Sequence, residues 1–184
     1  MRKKKNFVEK KESYLIDELL QLTLVAGLAT RNEFFTIYDR DKVDLIKPKK
    51  LKADIRSFLK EYYHELKVKA ISEQEHINKI IRLSDTLSNN YRDILFKKRF
   101  RIGVSQKLIN LFLKYLWALD KIETPHHCPF DNIIKRKLKN IELEDWTELD
   151  SLVHYMRYVT TAKKVAMEDG LSIAEWELTV YKRR

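Results

Sequence analysis

The fold is decided by residues 101–117, which read RIGVSQKLINLFLKYLW. Apolar side chains follow Gly103 at helical spacing and cover much of the circumference that a helix would have. A helix that is apolar on most sides belongs in the interior of a protein. The stretch therefore predicts the most buried helix of the molecule.

Helical periodicity continues on both sides of this stretch. In the first helix the apolar positions that recur at helical spacing are Val8, Leu15, Leu19, Leu22, Val25 and Ala26. Residues 33–38 fit either a helix or a strand, and a charged loop reaches Pro48. Eight helices are predicted. In chain order they are Phe7 to about Leu28, 51–71, one opened by the capping box Ser72-x-x-Glu75, a short one over 91–100, an apolar one that begins after Ser105 and reaches Trp117, one capped by Asp131, one from about Thr147 to Gly170, and one opened by Ser172.

The composition supports an all-α fold of about eight helices. Only 3 of the 184 residues are Gly and 3 are Pro, so the chain has few residues that break helices. This length predicts one domain, 1–184, in which residues 1–89 and 90–184 could form two lobes. No apolar run approaches the roughly 18 residues of a membrane span. We therefore expect no membrane partner.

Charge and cysteine content narrow the function classes further. With 37 Lys and Arg against 27 Asp and Glu, the net charge is +10, which favours polyanionic partners. Cys128 is the only cysteine, so one chain holds neither a disulfide framework nor a four-cysteine cluster. The basic N-terminus runs into more charge and does not resemble a secretory signal. We expect a cytoplasmic protein without a cofactor.

The basic segment before the buried helix suggests an anion site. Lys97, Lys98, Arg99 and Arg101 precede Gly103, and small residues at a turn let the backbone approach a ligand. The free N–H groups of a following helix N-terminus would add to the site, and the natural anion is a nucleic-acid phosphate. The alternative interpretation is that Gly103 ends a helix and that the charges form a solvated face.

A family resemblance favours the first interpretation. Residues 102–107, Ile-Gly-Val-Ser-Gln-Lys, resemble the hairpin of the helix-hairpin-helix DNA glycosylases, the HhH-GPD superfamily, with Ser105 in place of the second glycine. Residues 129–134, Pro-Phe-Asp-Asn-Ile-Ile, resemble the Pro-Val-Asp segment of that family. The resemblance spans about 101–136. It implies an enzyme that excises a damaged or modified base, with Lys107 as the nucleophile and Asp131 as the catalytic aspartate.

The two residue types suit this chemistry. Breaking a C1′–N bond passes through an oxocarbenium-like transition state, whose positive charge a carboxylate such as Asp131 stabilises. The amine of Lys107 attacks C1′ only when it is unprotonated, and we expect burial, Arg99, Arg101 and the helix N-terminus to favour that form. The resulting Schiff base permits strand cleavage by β-elimination. The hypothesis is therefore a glycosylase that also has AP-lyase activity.

Contacts with DNA and with a flipped base follow from the same hypothesis. A flipped base needs a pocket with stacking groups. The aromatic candidates are Phe34, Phe35, Phe130, Trp117 and Trp146, of which the last three are preferred. Phe130 ranks first because it adjoins Asp131. The predicted DNA-binding residues are Lys97, Lys98, Arg99, Arg101, Gly103, Ser105, Gln106, Lys135 and Arg136.

Other interpretations remain open at the level of sequence. The hairpin could clamp phosphate without catalysis in a helical DNA- or RNA-binding protein, or the chain could be a protein–protein adaptor whose charge serves solubility. His126-His127-Cys128 lacks the usual metal-ligand spacing, so we expect no metal there, and a histidine that contacts DNA phosphate is a minor hypothesis. His64 and His76 are predicted on polar helix faces, and residues 142–145 as a solvated acidic connection.

Overall fold

The protein is all-α, as the sequence predicts. The computed structural model describes residues 2–29, 36–39, 46–138 and 142–182, with side chains from residue 6 onward. Within these ranges it has seven α-helices, one 3₁₀ helix and no sheet. The helices are α1 (Arg2–Leu28), α2 (Ile46–Val68), α3 (Glu73–Asn90), the 3₁₀ helix Phe96–Lys98, α4 (Ile102–Ala118), α5 (Asn132–Lys135), α6 (Leu152–Glu168) and α7 (Ile173–Val180).

Helix α4 lies at the centre, which confirms the prediction made from residues 101–117. Eleven of its residues are buried, and α1 and α3 make the most extensive contacts with it. Buried apolar side chains from the other six α-helices join those of α4 in one hydrophobic cluster. No helix in the described part of the chain is long and apolar enough to cross a membrane.

Helix α1 forms as predicted, but only part of the predicted apolar set is buried. Leu19 is buried and Leu15 packs against the core, whereas Val8, Leu22 and Val25 are exposed. The rest of the buried side consists of residues that the prediction leaves out, which are Ile16, Leu20, Thr23 and Leu24. The predicted and the buried set both have helical spacing, and packing against α4 selects the buried one. This outcome leaves large apolar residues on the outer side of α1.

Helices α2 and α3 differ from the prediction only at their ends. Helix α2 begins at Ile46, upstream of the predicted residue 51, because Pro48 lies in the first turn, where a missing N–H group costs no helical hydrogen bond. The predicted capping box of α3 is confirmed. The Glu75 N–H donates to Ser72 Oγ at 3.2 Å, and the Ser72 N–H donates to Glu75 Oε2 at 2.7 Å.

The predicted helix over residues 91–100 is wrong. Residues 91–94 form a turn, and an isolated bridge pairs Leu95 with Tyr38. The Phe96 N–H donates to Ile37 O at 3.0 Å, so this backbone pairs with another segment instead of with itself. Lys97 and Lys98 have φ angles of 51° and 59°, in the left-handed region that an α-helix does not use. Residues 33–35 lie outside the described ranges.

The C-terminal third is held by short-range caps. Asp131 caps α5 as predicted, although α5 has only four residues. Ser151 caps α6, and Gly170, with φ of 68°, follows the end of α6 as a C′ residue. Ser172 and Glu175 form the capping box of α7. The loop between α4 and α5 carries His126, His127 and Cys128 and leads directly to Asp131.

Candidate active site

The start of α4 is not the glycine hairpin that the sequence suggests. Gly103 is the second residue of the helix, and a Cβ atom at Gly103 would lie 1.9 Å from the carbonyl oxygen of Trp146. Only glycine allows the backbone of residues 146–149 to approach so closely. The expectation that Gly103 brings the backbone near a phosphate is therefore corrected, because its close neighbour is another part of the same chain.

The N–H groups that would bind an anion already have partners. The Ile102 N–H donates to Asp150 Oδ1 at 3.1 Å, and the Gly103 N–H donates to Leu149 O at 2.8 Å. The carboxylate of Asp150 thus occupies the position at the helix N-terminus where an anion is stabilised. A phosphate could bind there only after this segment moved away.

Gln106 is fully buried and holds the backbone that precedes Asp131. Its Nε2 donates to Phe130 O at 2.6 Å and to Gly103 O at 2.9 Å, while its Oε1 accepts from the Phe130 N–H at 3.1 Å. Both polar backbone groups of Phe130 are therefore satisfied by one side chain. Gln106 and the equally buried Ser105 face the interior, which corrects the prediction that they contact DNA.

Asp131 is oriented by the helix that it caps. Its Oδ1 accepts from the N–H groups of Ile133 at 2.8 Å and Ile134 at 3.2 Å. These two hydrogen bonds fix the carboxylate and leave Oδ2 directed toward Lys107. The distance from Lys107 Nζ to Asp131 Oδ2 is 3.9 Å. The structure thus brings together the two residues that the sequence assigns to catalysis.

Trp146 completes the surroundings of Lys107. Lys107 Nζ lies 3.9 Å from the centroid of the Trp146 ring, in the geometry of a cation–π contact. The side chains of Lys107 and Asp131 are only 11% and 17% exposed, so this group lies at the edge of the interior. A carboxylate and an aromatic face both attract a cation, so this position suits a lysine side chain.

The other two stacking candidates do not line this site. Phe130 is fully buried and packs against Tyr155 and Tyr158, with ring centroids at 6.0 Å and 5.4 Å. It is a core residue, which corrects its assignment to a base pocket. Trp117 lies ten residues beyond Lys107 on α4, roughly 15 Å along the helix axis. Phe34 and Phe35 lie outside the described ranges.

The acidic segment 142–150, between α5 and α6, contacts two of the basic residues that the sequence predicts to bind DNA. Lys135 pairs with Asp145 at 2.7 Å, and Arg99 pairs with Asp150 at 2.9 Å and with Asp85 at 2.7 Å. The segment is therefore not the solvated connection that the sequence suggests. It neutralises the cations that flank Lys107.

The remaining predicted DNA contacts divide between the interior and the surface. Arg101 is only 5% exposed and donates to Thr36 O at 2.9 Å, so its guanidinium serves the fold. Lys97, Lys98 and Arg136 are exposed. These three cations are the members of the predicted set that solvent and a polyanion can reach.

A buried polar network that the sequence analysis missed supports the loop before Asp131. His76 lies between Tyr62 and Asn110, with Nδ1 2.9 Å from the Tyr62 oxygen and Nε2 2.9 Å from Asn110 Oδ1. The Asn110 amide then donates to Cys128 O at 2.9 Å and to Gln106 Oε1 at 3.2 Å. The network therefore links α2 and α3 to the residues that position Asp131.

His127 forms the second branch of this network. Its Nδ1 lies 2.7 Å from the Tyr155 oxygen, and its Nε2 lies 2.8 Å from Glu73 Oε1. Lys163 donates to the same Glu73 carboxylate at 2.6 Å. His127 is 1% exposed, so the hypothesis of a phosphate contact fails for it. His126 is exposed and bonds the Ile71 carbonyl oxygen at 2.7 Å.

Burial keeps both network histidines neutral. Desolvation lowers the pKa of His76 to about 3 and that of His127 to about 4. The prediction that His76 lies on a polar helix face is wrong, because His76 is 1% exposed. A sequence signal was present, since Asn110 interrupts the apolar pattern of α4 and a buried amide requires hydrogen-bonding partners.

Comparisons with known proteins add no relatives. A scan against family models, a search of curated proteins and a search of solved structures each found no match.

Proposed function

We propose that the protein is a DNA glycosylase with AP-lyase activity, in which Lys107 is the nucleophile and Asp131 assists. The observation that supports this proposal most directly is the distance of 3.9 Å between Lys107 Nζ and Asp131 Oδ2. The two residues belong to separate sequence segments, 102–107 and 129–134, that resemble the same family. Under this proposal the protein acts on DNA in the cytoplasm, at the nucleoid in a prokaryotic cell.

The proposed reaction starts with loss of a proton from Lys107. The free amine attacks C1′ of the flipped nucleotide, and the base leaves with the electron pair of the C1′–N bond. Asp131 Oδ2 carries the proton from Lys107 to the base as the base departs. Once it has delivered this proton, the carboxylate is an anion again and stabilises positive charge at C1′. Opening of the sugar gives a Schiff base, and loss of a C2′ proton expels the 3′ phosphate.

The reaction requires rearrangement around Trp146. The Trp146 ring covers the Lys107 amine, so a flipped nucleotide reaches the amine only if this ring moves or stacks on the base. The segment 142–150 would move with it, which would also release Lys135 from Asp145 and Arg99 from Asp150, while Arg99 would keep its ion pair with Asp85. DNA phosphates are the natural replacement partners for these cations.

Borohydride trapping tests the proposed nucleophile. Duplexes that carry an abasic site, uracil, 8-oxoguanine or an alkylated purine are incubated with the protein and reduced, and base release and strand nicking are measured in parallel. We expect a covalent adduct with at least one duplex, loss of that adduct in Lys107→Gln, and release slowed by about 100-fold or more in Asp131→Asn. Lys164→Gln, which changes an exposed lysine on α6, is the matched control.

A second candidate is a nucleic-acid-binding protein without catalysis. It is favoured by the small exposed fraction of the Lys107 side chain, 11%, together with the exposure of Lys97, Lys98 and Arg136. Salt-dependent DNA binding without any adduct or base release would select this candidate and reject the enzyme. An adduct that persists in Lys107→Gln would exclude Lys107 as the nucleophile.

A further inference from the structure

The outer side of α1 carries an apolar stripe that has no role in the fold. At 100° per residue, the six positions of this stripe fall within roughly 80° of one another, on the side opposite the buried Ile16 and Leu20. All six are exposed. We call this set the outer stripe: Phe7, Lys11, Tyr14, Glu18, Leu22 and Val25.

Four of the six residues are large and apolar, which is unusual for the solvent side of a helix. Phe7, Tyr14 and Val25 are 61%, 69% and 60% exposed, and Leu22 is 49% exposed. Residues 6–11 are exposed on nearly every side, so this end of α1 projects beyond the hydrophobic cluster. A contiguous apolar stripe of this kind is typical of a surface that another molecule covers.

We propose that the outer stripe pairs with the outer stripe of a second copy of the chain, with the two α1 helices antiparallel. Lys11 and Glu18 lie at nearly equal distances on either side of Tyr14. An antiparallel pair therefore brings Lys11 near Glu18 of the second copy, while a parallel pair opposes like charges. The same arrangement puts Phe7 beside Leu22 and Val25 of the second copy, and Tyr14 close to the two-fold axis.

The charges disfavour the other occupants of such a surface. A DNA backbone needs several cations, whereas the outer stripe has one cation and one anion. Insertion into a bilayer would desolvate Lys11 and Glu18 in the middle of the stripe. A second copy satisfies both charges and buries the apolar residues at the same time. The proposal is independent of the chemistry of Lys107 and Asp131.

Charge reversal tests the pairing in the full chain. Sedimentation velocity over a range of concentrations should show a reversible dimer of the unmodified protein. Lys11→Glu and Glu18→Lys should each weaken it by roughly tenfold or more, because two attractive pairs become repulsive. The double variant with both substitutions should restore dimerisation, while Lys52→Glu, an exposed change on α2, should leave it unaltered.

Cysteine cross-linking tests the direction of the helices. The only native thiol, Cys128, is 1% exposed and does not interfere. Under mild oxidation, Phe7→Cys and Leu22→Cys should each stay uncross-linked alone but form a disulfide when the two variants are mixed. A cross-link of Phe7→Cys with itself would show a parallel pair and overturn the proposal. A monomer at every concentration, or α1 binding to vesicles or DNA as a monomer, would overturn it as well.

Discussion

At the scale of one residue, Gly103 and Gly27 show that the cost of adding a Cβ atom depends on which atom lies next to it. Both glycines lie inside helices, and an added Cβ atom would meet a close neighbour at each of them. At Gly27 the neighbour is Leu108 Cδ2 at 2.4 Å, the end of a flexible side chain. At Gly103 it is the backbone oxygen of Trp146 at 1.9 Å. A side chain can rotate away, whereas a backbone oxygen moves only with its whole segment.

We therefore expect Gly103→Ala to be far more destabilising than Gly27→Ala. The first substitution should lower the free energy of unfolding by about 3 kcal/mol, because the segment 146–149 must separate from α4. The second should cost less than about 1 kcal/mol, since the better helix propensity of Ala offsets the displacement of Leu108. Urea unfolding of both variants measures the difference. Equal losses would show that the approach of Trp146 to Gly103 is not maintained in solution.

Gln106 holds the loop that carries Asp131 through both backbone polar groups of Phe130. Replacing it by Ala leaves the N–H and C=O groups of Phe130 buried without partners, at a cost of about 1–3 kcal/mol for each group. Asp131 should then lose its fixed position. In Gln106→Ala, kcat for base release should fall while duplex affinity stays unchanged, if the proposed reaction holds. Thr23→Ala, which removes a buried hydroxyl of α1 that bonds the Leu19 carbonyl oxygen, controls for lost stability alone.

At the scale of elements, the start of α4 depends on a carboxylate from a distant part of the chain. Arg101, at the N-cap position, makes no side-chain capping bond, and Asp150 supplies the missing acceptor. Asp150→Ala should lower the free energy of unfolding by about 1–2 kcal/mol, because it removes a cap and a favourable charge at a helix N-terminus. Thermal and urea unfolding measure this effect.

Asp85→Ala isolates the contribution of the ion pair. Asp85 also pairs with Arg99, but it bonds no N–H group of α4, so this variant should lose less than about 1 kcal/mol. If Asp150→Ala is no worse than Asp85→Ala, the capping role of Asp150 is contradicted. Tighter DNA binding by Asp150→Ala would indicate that this carboxylate competes with phosphate at the helix N-terminus.

At this scale, structure that depends on residues close together in the sequence is predictable, and structure that depends on distant residues is not. The predicted capping box at Ser72 and the predicted cap at Asp131 act within three residues, and both are confirmed. The last helix opens at Ser172 as predicted, and there the structure adds a capping box with Glu175. The failures involve distant partners. Residues 91–100 pair with 37–39, and Gly103 packs against Trp146, so neither arrangement is visible in local spacing. In α1, two apolar stripes fit one helix, and spacing alone does not select between them.

The candidate site was predictable in part for the same reason. Lys107 and Asp131 were identified from local motifs that resemble a known family. Their partners were not, because Trp146 reaches Lys107 only through the packing of segment 146–149 on α4. Fewer cations are available to DNA than the sequence suggests. Asp145 pairs with Lys135 and Asp150 pairs with Arg99, and the sequence does not reveal these ion pairs.

At the scale of the whole molecule, the buried histidines make stability depend on pH. Both rings have an ordinary pKa of 6.5, and burial lowers the values to about 3 for His76 and about 4 for His127. Above pH 6.5 the rings are neutral in the folded and unfolded states. Below it, the unfolded chain binds protons that the folded chain does not bind, so stability falls.

We expect the free energy of unfolding to fall by about 2 kcal/mol for each histidine between pH 6.5 and pH 5. His127→Gln should flatten this dependence by about half, and His64→Gln, which changes an exposed histidine, should not alter it. Urea unfolding across this window measures the slope. The window from pH 6.5 to pH 5 lies above the range in which Glu73 titrates. Burial by itself raises the pKa of Glu73, but hydrogen bonds from Lys163 and His127 outweigh this effect and lower the pKa below its ordinary value. An unchanged stability down to pH 5 would contradict the burial of both rings.

The buried thiol of Cys128 can report how often the loop before Asp131 opens. Its thiol is fully enclosed, burial raises its pKa, and no other residue of the chain carries a thiol. A thiol reagent therefore modifies the native protein only during the intervals in which the loop before Asp131 opens. The rate at which the reagent modifies Cys128 therefore measures how often these openings occur, and no engineered cysteine is needed. Comparing that rate with global unfolding would reveal whether the loop that carries Asp131 opens on its own or only with the rest of the core.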